Sequence, residues 1–252
     1  MLGALGILVA LVLTLVVSFV VHSRPAGTVD QSRPGPVLLV PGYGGSERSL
    51  GPLAVALRTG GRDVTVVSLP GSAQGDLGEQ AQALGSAVDA ALTRTGADSV
   101  DLVGYSAGGV VARLWVVEDG GAARTRRLVT LGSPHQGTQL AQLGTLLAGT
   151  CPTACQQLAP GSPVLARLAG EAVPAGVVAV SLWSSSDDVV IPPESSVVTG
   201  VPSPSLQSIC PASTVRHSAL PGDRLVQSLI AQAVAVARPA TSGPADCARL
   251  SS

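Results

Sequence analysis

The sequence predicts one α/β domain built on a mostly parallel central sheet with helices on both faces. Short apolar segments of strand length alternate along the chain with longer segments of helical periodicity. Parallel strands that are buried on both faces consist of continuous apolar residues, because the connecting helices cover them. Beyond residue 36 about 220 residues remain, enough for one well-buried domain and too few for two of ordinary size.

The strands and helices are predicted from apolar spacing and from the Gly and Pro residues that end each segment. The predicted strands are residues 37–40, 63–69, 99–104, 126–132 and 177–183. The predicted helices are residues 77–95, 106–118 and 223–238. In the segment 106–118, apolar residues recur at the spacing of one helix face, at positions 110, 111, 114 and 117.

Residues 1–21 form an apolar leader. Positions 2–21 carry no charged side chain and as a helix would span about 30 Å, the hydrocarbon thickness of a bilayer. We expect a signal peptide or an uncleaved signal-anchor helix, and the long apolar run without a basic start or a clear cleavage motif favours the anchor. Residues 22–36 are rich in Pro, Gly and Ser and predict a linker to a domain at 37–252.

The side of the membrane is indicated by two conflicting signals. Arg24 and Arg33 follow the leader, and the positive-inside rule alone would keep the domain cytoplasmic. The four cysteines indicate the opposite, because disulfides persist in exported proteins. A start codon assigned too late would reconcile the two. We expect an exported protein, extracellular or anchored to the outer side of the cell membrane.

The cysteines predict disulfides, since an exported chain with an even number of them usually pairs them. Cys151 and Cys155 are close enough in sequence to close a small loop, which would leave Cys210 to pair with Cys247. A zinc site is a rival interpretation, but the chain has no C-x-x-C pair. Free buried thiols are a further alternative.

The charge distribution bears on the class of partner. The formal net charge is −1, and all 15 basic residues are Arg without a basic block. Recognition of nucleic acid requires a concentration of positive charge. We therefore expect no nucleic-acid partner.

The segment Gly-Tyr-Ser-Ala-Gly at residues 104–108 matches G-x-S-x-G, a weak pattern by itself in a chain with 30 glycines. Its position between a predicted strand and a predicted helix gives it weight. A nucleophile elbow is a strand-to-helix turn of this kind, with flanking glycines that permit the tight turn. Ser106 is thus a candidate nucleophile, and the alternative is a serine that only caps the helix.

A serine hydroxyl needs a base, and histidine is the usual one. The chain has three: His22 at the edge of the leader, His135 directly after a strand, and His217 late in the chain. Hydrolases with this elbow order the catalytic groups along the chain as serine, acid, histidine. Only His217 follows a plausible acid.

The acid should follow a late strand, because its carboxylate must hold one imidazole nitrogen while the other accepts the serine proton. Asp187 and Asp188 follow the strand at 177–183, and only one of two adjacent side chains can serve. Asp223 is a weaker candidate that is better placed to cap the last helix. Glu194 is a more remote one.

The oxyanion needs two backbone N–H donors, one of them from the residue after the nucleophile, Ala107. The second comes from the loop after an early strand. Pro41 opens that loop and has no N–H, which leaves Tyr43 or Gly44. The alternative is an ordinary Pro-Gly turn.

Five segments together resemble a known family: LLVPGYGGS, DLVGYSAGG, LVTLGSPHQGT, SSSDDVVIPP and RHSAL. They are similar to segments of secreted bacterial lipases and esterases of the α/β-hydrolase fold, of the lipase class 2 type. The resemblance covers roughly residues 36–235. It implies the α/β-hydrolase fold, and we expect a small apolar cap on that fold and a reaction that uses no metal or organic cofactor.

By this resemblance Ser106, Asp187 and His217 match the catalytic triad, and Tyr43 and Ala107 match the oxyanion donors.

Asp187 is preferred to Asp188, the alternative acid, because the family places its acid just before an x-[IV]-V segment. His135 matches a motif residue that is not catalytic. Pro41 is a departure, since many members carry histidine there, although other lipases of the fold carry proline.

The connection between the strands at 126–132 and 177–183 is long enough for a lid. We call residues 135–176 the cap segment. Its apolar side chains either form an acyl-chain pocket or simply pack on the sheet. They are Leu140, Leu143, Leu146, Leu147, Leu158, Leu165 and Leu168.

The sequence therefore predicts a monomeric serine carboxylic-ester hydrolase, a lipase or esterase that cleaves acyl esters and in particular lipid esters. One alternative is an acyltransferase that uses the same triad. The other is a non-catalytic binding module tethered to the membrane.

Overall fold

The computed structural model describes residues 29–45, 47–147, 151–237 and 241–252. One parallel sheet in the order β2-β1-β3-β4-β5 organises this part of the chain. Its strands are β1 (Val37–Val40), β2 (Val64–Val66), β3 (Val100–Tyr105), β4 (Thr125–Leu131) and β5 (Val178–Leu182). The predicted fold class is confirmed, and each strand lies within or beside its predicted segment.

The α-helices of the described residues connect and cover these strands. They are α1 (Gly51–Thr59), α2 (Leu77–Thr95), α3 (Ala107–Glu118), α4 (Gln139–Leu147), α5 (Thr153–Gln157), α6 (Pro163–Gly170), α7 (Leu206–Ile209), α8 (Arg224–Ala233) and α9 (Cys247–Leu250). Short 3₁₀ segments lie at Glu47–Leu50, Pro70–Ala73, Gly121–Arg124, Pro193–Ser196, His217–Gly222 and Pro244–Asp246.

The last predicted helix, 223–238, is shorter in the structure. Asp223 caps α8 by accepting the Val226 N–H through its side chain at 3.1 Å. The helix ends at Ala233, and the carbonyl of Val234 instead accepts from the guanidinium groups of Arg62 and Arg126. The early end of α8 thus coincides with a tertiary contact of the Val234 carbonyl, which the local sequence pattern does not encode.

Alternate residues of the strands point into two separate cores. Leu38 and Val40 of β1 pack with α2 and α3, whereas Val37 and Leu39 pack with α1 and α8. Because side chains alternate across a strand, a four-residue apolar strand supplies both layers. The sheet is thereby packed between two layers of helices.

The cap segment divides between core and surface. Leu158, Leu165 and Leu168 are buried in the same core as α2 and α3. Leu140 and Leu143 of α4 are exposed. Packing on the sheet therefore accounts for the later leucines and not for these two.

Both disulfides form with the expected pairing, Cys151 to Cys155 and Cys210 to Cys247. The alternatives of free thiols and of a zinc site are wrong for these four residues, since all are paired. The leader and residues 22–28 of the predicted linker lie outside the described residues. Within the described ranges, no helix has the length and apolarity needed to cross a bilayer.

Candidate active site

Ser106 occupies the turn between β3 and α3 with φ 55° and ψ −128°. A non-glycine residue at positive φ is uncommon, and here the neighbours make the turn possible. A Cβ on Gly104 would lie 2.4 Å from the Cα of Gly109, and one on Gly108 would lie 2.2 Å from the carbonyl oxygen of Val40. Both positions therefore require glycine because of close backbone approach.

The Ser106 side chain does not cap α3. Its Oγ lies instead 3.0 Å from Nε2 of His217, the first residue of the 3₁₀ segment that precedes α8. Capping as the role of Ser106 is thus wrong. The hydroxyl faces instead the imidazole of a residue that lies 111 positions later in the chain.

The other nitrogen of His217, Nδ1, lies 2.7 Å from Oδ2 of Asp187, in the loop after β5. Both residues are buried. A carboxylate only accepts hydrogen bonds, so Nδ1 carries the hydrogen and Nε2 presents its lone pair to Ser106. Asp187, His217 and Ser106 form one hydrogen-bonded chain.

The Asp187 carboxylate is held in place by its own loop. Its Oδ1 accepts the backbone N–H groups of Val189 at 2.9 Å and Val190 at 2.8 Å. Gly132, at the end of β4, has φ +53°, and a Cβ there would lie 2.7 Å from Cδ1 of Leu220 and 3.2 Å from Asp187 Oδ2. A side chain at position 132 would therefore crowd Asp187 and His217 at once, since its Cβ would also lie 3.4 Å from His217 Nδ1.

Asp188 does not reach the imidazole. Its Oδ1 accepts the main-chain N–H of His217 at 3.3 Å, and its Oδ2 lies 3.5 Å from Nη1 of Arg216. Glu194 is exposed in a 3₁₀ segment, and Asp223 caps α8. Of the four candidate acids, the structure brings only Asp187 to the ring.

His135 is buried and lies apart from this hydrogen-bonded chain. Its Nε2 lies 3.0 Å from Oγ1 of Thr130, whose hydroxyl donates to Oγ of Ser181. Burial, with a smaller contribution from the charge of Arg113, lowers the pKa of His135 to about 3. The ring is therefore neutral and structural at ordinary pH.

The loop after β1 crosses directly over Ser106. A Cβ on Gly42 would lie 2.8 Å from the Cβ of Ser106, so the main chain passes there without room for a side chain. The next residue is Tyr43, one of the predicted donors. Ala107 opens α3, and N–H groups of a first helical turn have no intrahelical acceptor. The loop that carries Tyr43 therefore passes close to Ser106 at Gly42, and Ala107 directly follows Ser106 in the chain.

Some residues that hold the site were missed by sequence reasoning. The Tyr105 hydroxyl donates to the carbonyl of His217 at 3.0 Å, and the two rings lie 5.1 Å apart. Ser184 donates to the carbonyl of Val215 at 2.6 Å and accepts from Gln207 Nε2 at 3.1 Å. Tyr105 stands inside the G-x-S-x-G motif and could have been singled out, whereas Ser184 and Gln207 carry no sequence signal.

No group of three or more His, Cys, Asp or Glu side chains in the described ranges is arranged to hold a metal ion.

A family model described as PGAP1-like alpha/beta domain matches residues 69–238 of the chain, a range that includes Ser106, Asp187 and His217. Among the curated proteins compared with the chain, none matches its sequence.

Solved structures resemble the whole fold. Lipase B of Aspergillus fumigatus has a TM-score of 0.69 at 20% identity, over 89% of this chain and 57% of that chain. The lin2722 gene product of Listeria innocua has a TM-score of 0.58 at 15% identity, over 80% and 94%. Lipase BlEst2 of Bacillus licheniformis, in its mature form, has a TM-score of 0.53 at 22% identity, over 64% and 70%.

The chain spans a little more than half the length of the fungal lipase. At these identities the likeness establishes the fold alone, which is the α/β-hydrolase fold. The narrower resemblance to bacterial enzymes of the lipase class 2 type stays a prediction. The family match covers more than half of the sequence, and the chain therefore belongs to the PGAP1-like alpha/beta domain family.

Proposed function

We propose that the protein is a serine carboxylic-ester hydrolase, a lipase or esterase, with Ser106 as nucleophile, His217 as base and Asp187 as the orienting acid. One observation carries the proposal. Asp187, His217 and Ser106 form a continuous hydrogen-bonded chain, with steps of 2.7 and 3.0 Å, that ends at a serine on a strand-to-helix elbow. These distances are within the reach that general-base activation of a serine requires.

In the first half-reaction Oγ of Ser106 attacks the ester carbonyl carbon while its proton passes to Nε2 of His217. The tetrahedral oxyanion accepts hydrogen bonds from the backbone N–H groups of Tyr43 and Ala107. Asp187 keeps the ring oriented and stabilises the imidazolium. Donors of this kind typically account for about 10²- to 10³-fold of the rate each.

The C–O bond to the leaving alcohol then breaks, and His217 gives its proton to that oxygen, which leaves an acyl group on Ser106. In the second half-reaction water attacks the acyl carbonyl and loses a proton to Nε2. Collapse of the second tetrahedral intermediate releases the carboxylic acid and returns the proton to Oγ of Ser106.

Exposed apolar side chains on segments next to the site residues support lipid esters as the substrate class. Tyr43 (43% exposed), Leu140 (43%), Leu143 (48%) and Val189 (38%) are among the exposed large apolar side chains of the described residues. Tyr43 follows the loop over Ser106, and Val189 lies two residues after Asp187. Burial of each acyl CH₂ group contributes about 0.8 kcal/mol, so such a surface favours long chains.

The cap segment supports the same substrate class, since its first helix is joined to the acid loop. The hydroxyl of Thr138 donates to the carbonyl of Val189 at 2.7 Å, and the N–H of Gln139 donates to the carbonyl of Ile191 at 2.8 Å. The exposed Leu140 and Leu143 lie in the first turns of α4, directly after these two contacts. We assign residues 135–176 as a cap that contributes to the acyl-chain site.

The reaction is tested with p-nitrophenyl esters of increasing acyl length and with a fluorophosphonate probe that labels activated serines. The wild type is expected to hydrolyse the esters and to take the label. Ser106→Ala is expected to lose both, with turnover lower by about 10⁴-fold or more. Undiminished turnover or persistent labelling in Ser106→Ala would overturn the assignment.

The same experiments separate the alternatives. An acyltransferase would form the same acyl-enzyme and pass the acyl group to an added alcohol in preference to water. A binding module would show neither turnover nor labelling. The two disulfides are compatible with export, and we extend the proposal to an exported enzyme held at the membrane by residues 1–21. N-terminal sequencing of the mature protein would show whether the leader is retained.

A further inference from the structure

We infer that Tyr105 and Asp188 are positioning residues that hold the main chain of His217 at both of its polar groups. The inference rests on the function proposed above, because it explains how the base of that reaction is kept in register with Ser106. Neither residue touches the reacting atoms. Each acts through His217.

Hydrogen bonds hold both backbone polar groups of His217. The Tyr105 hydroxyl donates to the carbonyl oxygen of His217 at 3.0 Å in a buried position. The Asp188 carboxylate accepts the backbone N–H of His217 at 3.3 Å through Oδ1. The imidazole is held separately by Asp187 at Nδ1. Main chain and ring of His217 are therefore fixed by three different residues.

The two positioning residues are the chain neighbours of the other two members of the site. Tyr105 directly precedes Ser106, and Asp188 directly follows Asp187. A movement of the nucleophile turn or of the acid loop is thus transmitted to the backbone of His217. This linkage keeps the distance from Nε2 to Oγ constant, and misplacement of a reacting group by about 1 Å can cost about 10²-fold in rate.

The chemistry of each contact suits the role. Burial, together with the charges of Asp187 and Asp188, raises the pKa of the Tyr105 hydroxyl well above its usual range, so it stays a donor. The ion pair of Asp188 with Arg216 is long, at 3.5 Å, and the Arg216 side chain is largely exposed. Exposed pairs of this kind contribute little. Asp188 is therefore expected to act as an acceptor for His217 and not as the partner of Arg216.

The test uses the full-length protein with five variants: Tyr105→Phe, Asp188→Ala, Asp188→Asn, the double variant Tyr105→Phe/Asp188→Ala, and Arg216→Gln. Phenylalanine keeps the ring contact and removes the donor. Asparagine keeps an acceptor oxygen and removes the charge. Arg216→Gln is the matched control, because it removes the ion pair and leaves the acceptor in place.

Initial rates on a soluble short-chain ester give kcat and KM separately, and thermal unfolding reports folding. We expect kcat to fall about 2- to 10-fold in Tyr105→Phe and in Asp188→Ala, with KM changed less than about 2-fold. Asp188→Asn should recover most of the wild-type kcat, and Arg216→Gln should match the wild type. The double variant should lose more than either single variant.

Three results would overturn the inference: kcat within about 2-fold of wild type in the double variant, Asp188→Asn as slow as Asp188→Ala, or Arg216→Gln as slow as Asp188→Ala. If Tyr105→Phe fails to fold, the three Asp188 and Arg216 single variants still decide.

A second readout separates this inference from the proposed function. In ¹⁵N-histidine NMR spectra the wild type should show a single His217 tautomer with the hydrogen on Nδ1, and the double variant should show that Nδ1–H signal weakened or exchanging. His135 serves as an internal reference, since its ring contacts Thr130 instead. A wild type without turnover or probe labelling would overturn the proposed function, whereas an unchanged His217 signal in the double variant would overturn the positioning role.

Discussion

The two ends of the sheet each bury an aspartate against nitrogen donors, and the two clusters differ in what the donors can do. At the carboxyl ends of the strands, Asp187 binds the imidazole of His217. At the amino ends, Asp101 of β3 binds the guanidinium groups of Arg126 at 2.9 and 2.6 Å and of Arg62 at 2.6 Å.

In the amino-end cluster, formed by Asp101, Arg62 and Arg126, the two guanidinium groups bind the carboxylate and main-chain carbonyls. Arg62 also donates to the main-chain carbonyl of Gly35, shortly before β1, and Arg126 to that of Val234, directly after α8. Arginine stays protonated in proteins, so no proton can leave this cluster. The cluster thereby joins the segment before β1 to the residues that follow α8.

In the carboxyl-end cluster, formed by Asp187, His217 and Ser106, one imidazole nitrogen faces a hydroxyl group. The imidazole uses one nitrogen for Asp187 and turns the other to the hydroxyl of Ser106. Histidine changes its charge near neutral pH, whereas arginine does not. Each end of the sheet thus holds a buried aspartate with hydrogen-bonded partners. What each cluster can do depends on whether the partner of the aspartate is a histidine or an arginine. The comparison predicts that neutralising Asp187 removes activity, whereas neutralising Asp101 lowers the stability of the fold.

The largest expected effect is on the rate of Asp187→Asn. The amide would present a donor or a weaker acceptor to Nδ1, and the ring would lose the tautomer that leaves Nε2 free. We expect kcat to fall by about 10⁴-fold. Steady-state ester hydrolysis measures this, and a Tm within a few degrees of wild type shows that the loss is chemical. A kcat within tenfold of wild type would refute the assigned role of Asp187.

The second effect concerns Asp101→Asn, which leaves two guanidinium groups without their carboxylate. Removing one partner of a buried ion pair costs about 3–5 kcal/mol, so the free energy of unfolding should fall by that amount. Urea denaturation measures it, and kcat of the folded fraction should be retained.

Asp98→Asn is the matched control for Asp101, because Asp98 forms an exposed pair with Arg33. Exposed pairs contribute about 0–1 kcal/mol. Equal destabilisation by the two substitutions would show that the amino-end cluster has no special weight.

The smallest effect concerns His135, an imidazole near the carboxyl end that has a hydroxyl partner in place of a carboxylate. Its pKa is about 3 in the folded protein against an ordinary value of 6.5. Below pH 6.5 His135 binds a proton in the unfolded chain but stays neutral in the folded protein. The stability of the folded state therefore falls as the pH is lowered towards 3.

His135→Gln removes this proton. Between pH 6 and 4 the wild type should lose about 1.4 kcal/mol per pH unit more than the variant does. The carboxylates with lowered pKa, such as Asp63 and Asp76, act alike in both proteins and cancel in the difference. Urea unfolding at several pH values gives the two slopes, and parallel slopes would show that His135 is not buried in its neutral form.

Much of the fold and of the candidate site could be predicted because it depends on local pattern. Continuous apolar runs of strand length indicate a buried parallel sheet wherever they occur. The glycines at 104 and 108 mark the tight turn in the sequence, although the contact that requires Gly108 comes from Val40 of β1. The chain order serine, acid, histidine reduces the three candidate histidines to His217. The division of the cap-segment leucines could not be predicted, because Leu140 and Leu165 have the same local spacing and differ only in what the fold places against them.

The sequence by itself determined the parallel α/β architecture, the elbow at Ser106 and the small set of acids and bases that can serve it, because each depends on residue type and on near neighbours in the chain. The tertiary structure decided that Asp187 meets the ring while Asp188 meets the backbone. It also decided that Tyr105 and Asp101 hold distant segments together. Residue type alone does not separate two adjacent aspartates, although the family resemblance favours Asp187. In the folded loop the direction of each side chain separates the carboxylate that faces the imidazole from the one that faces the main chain.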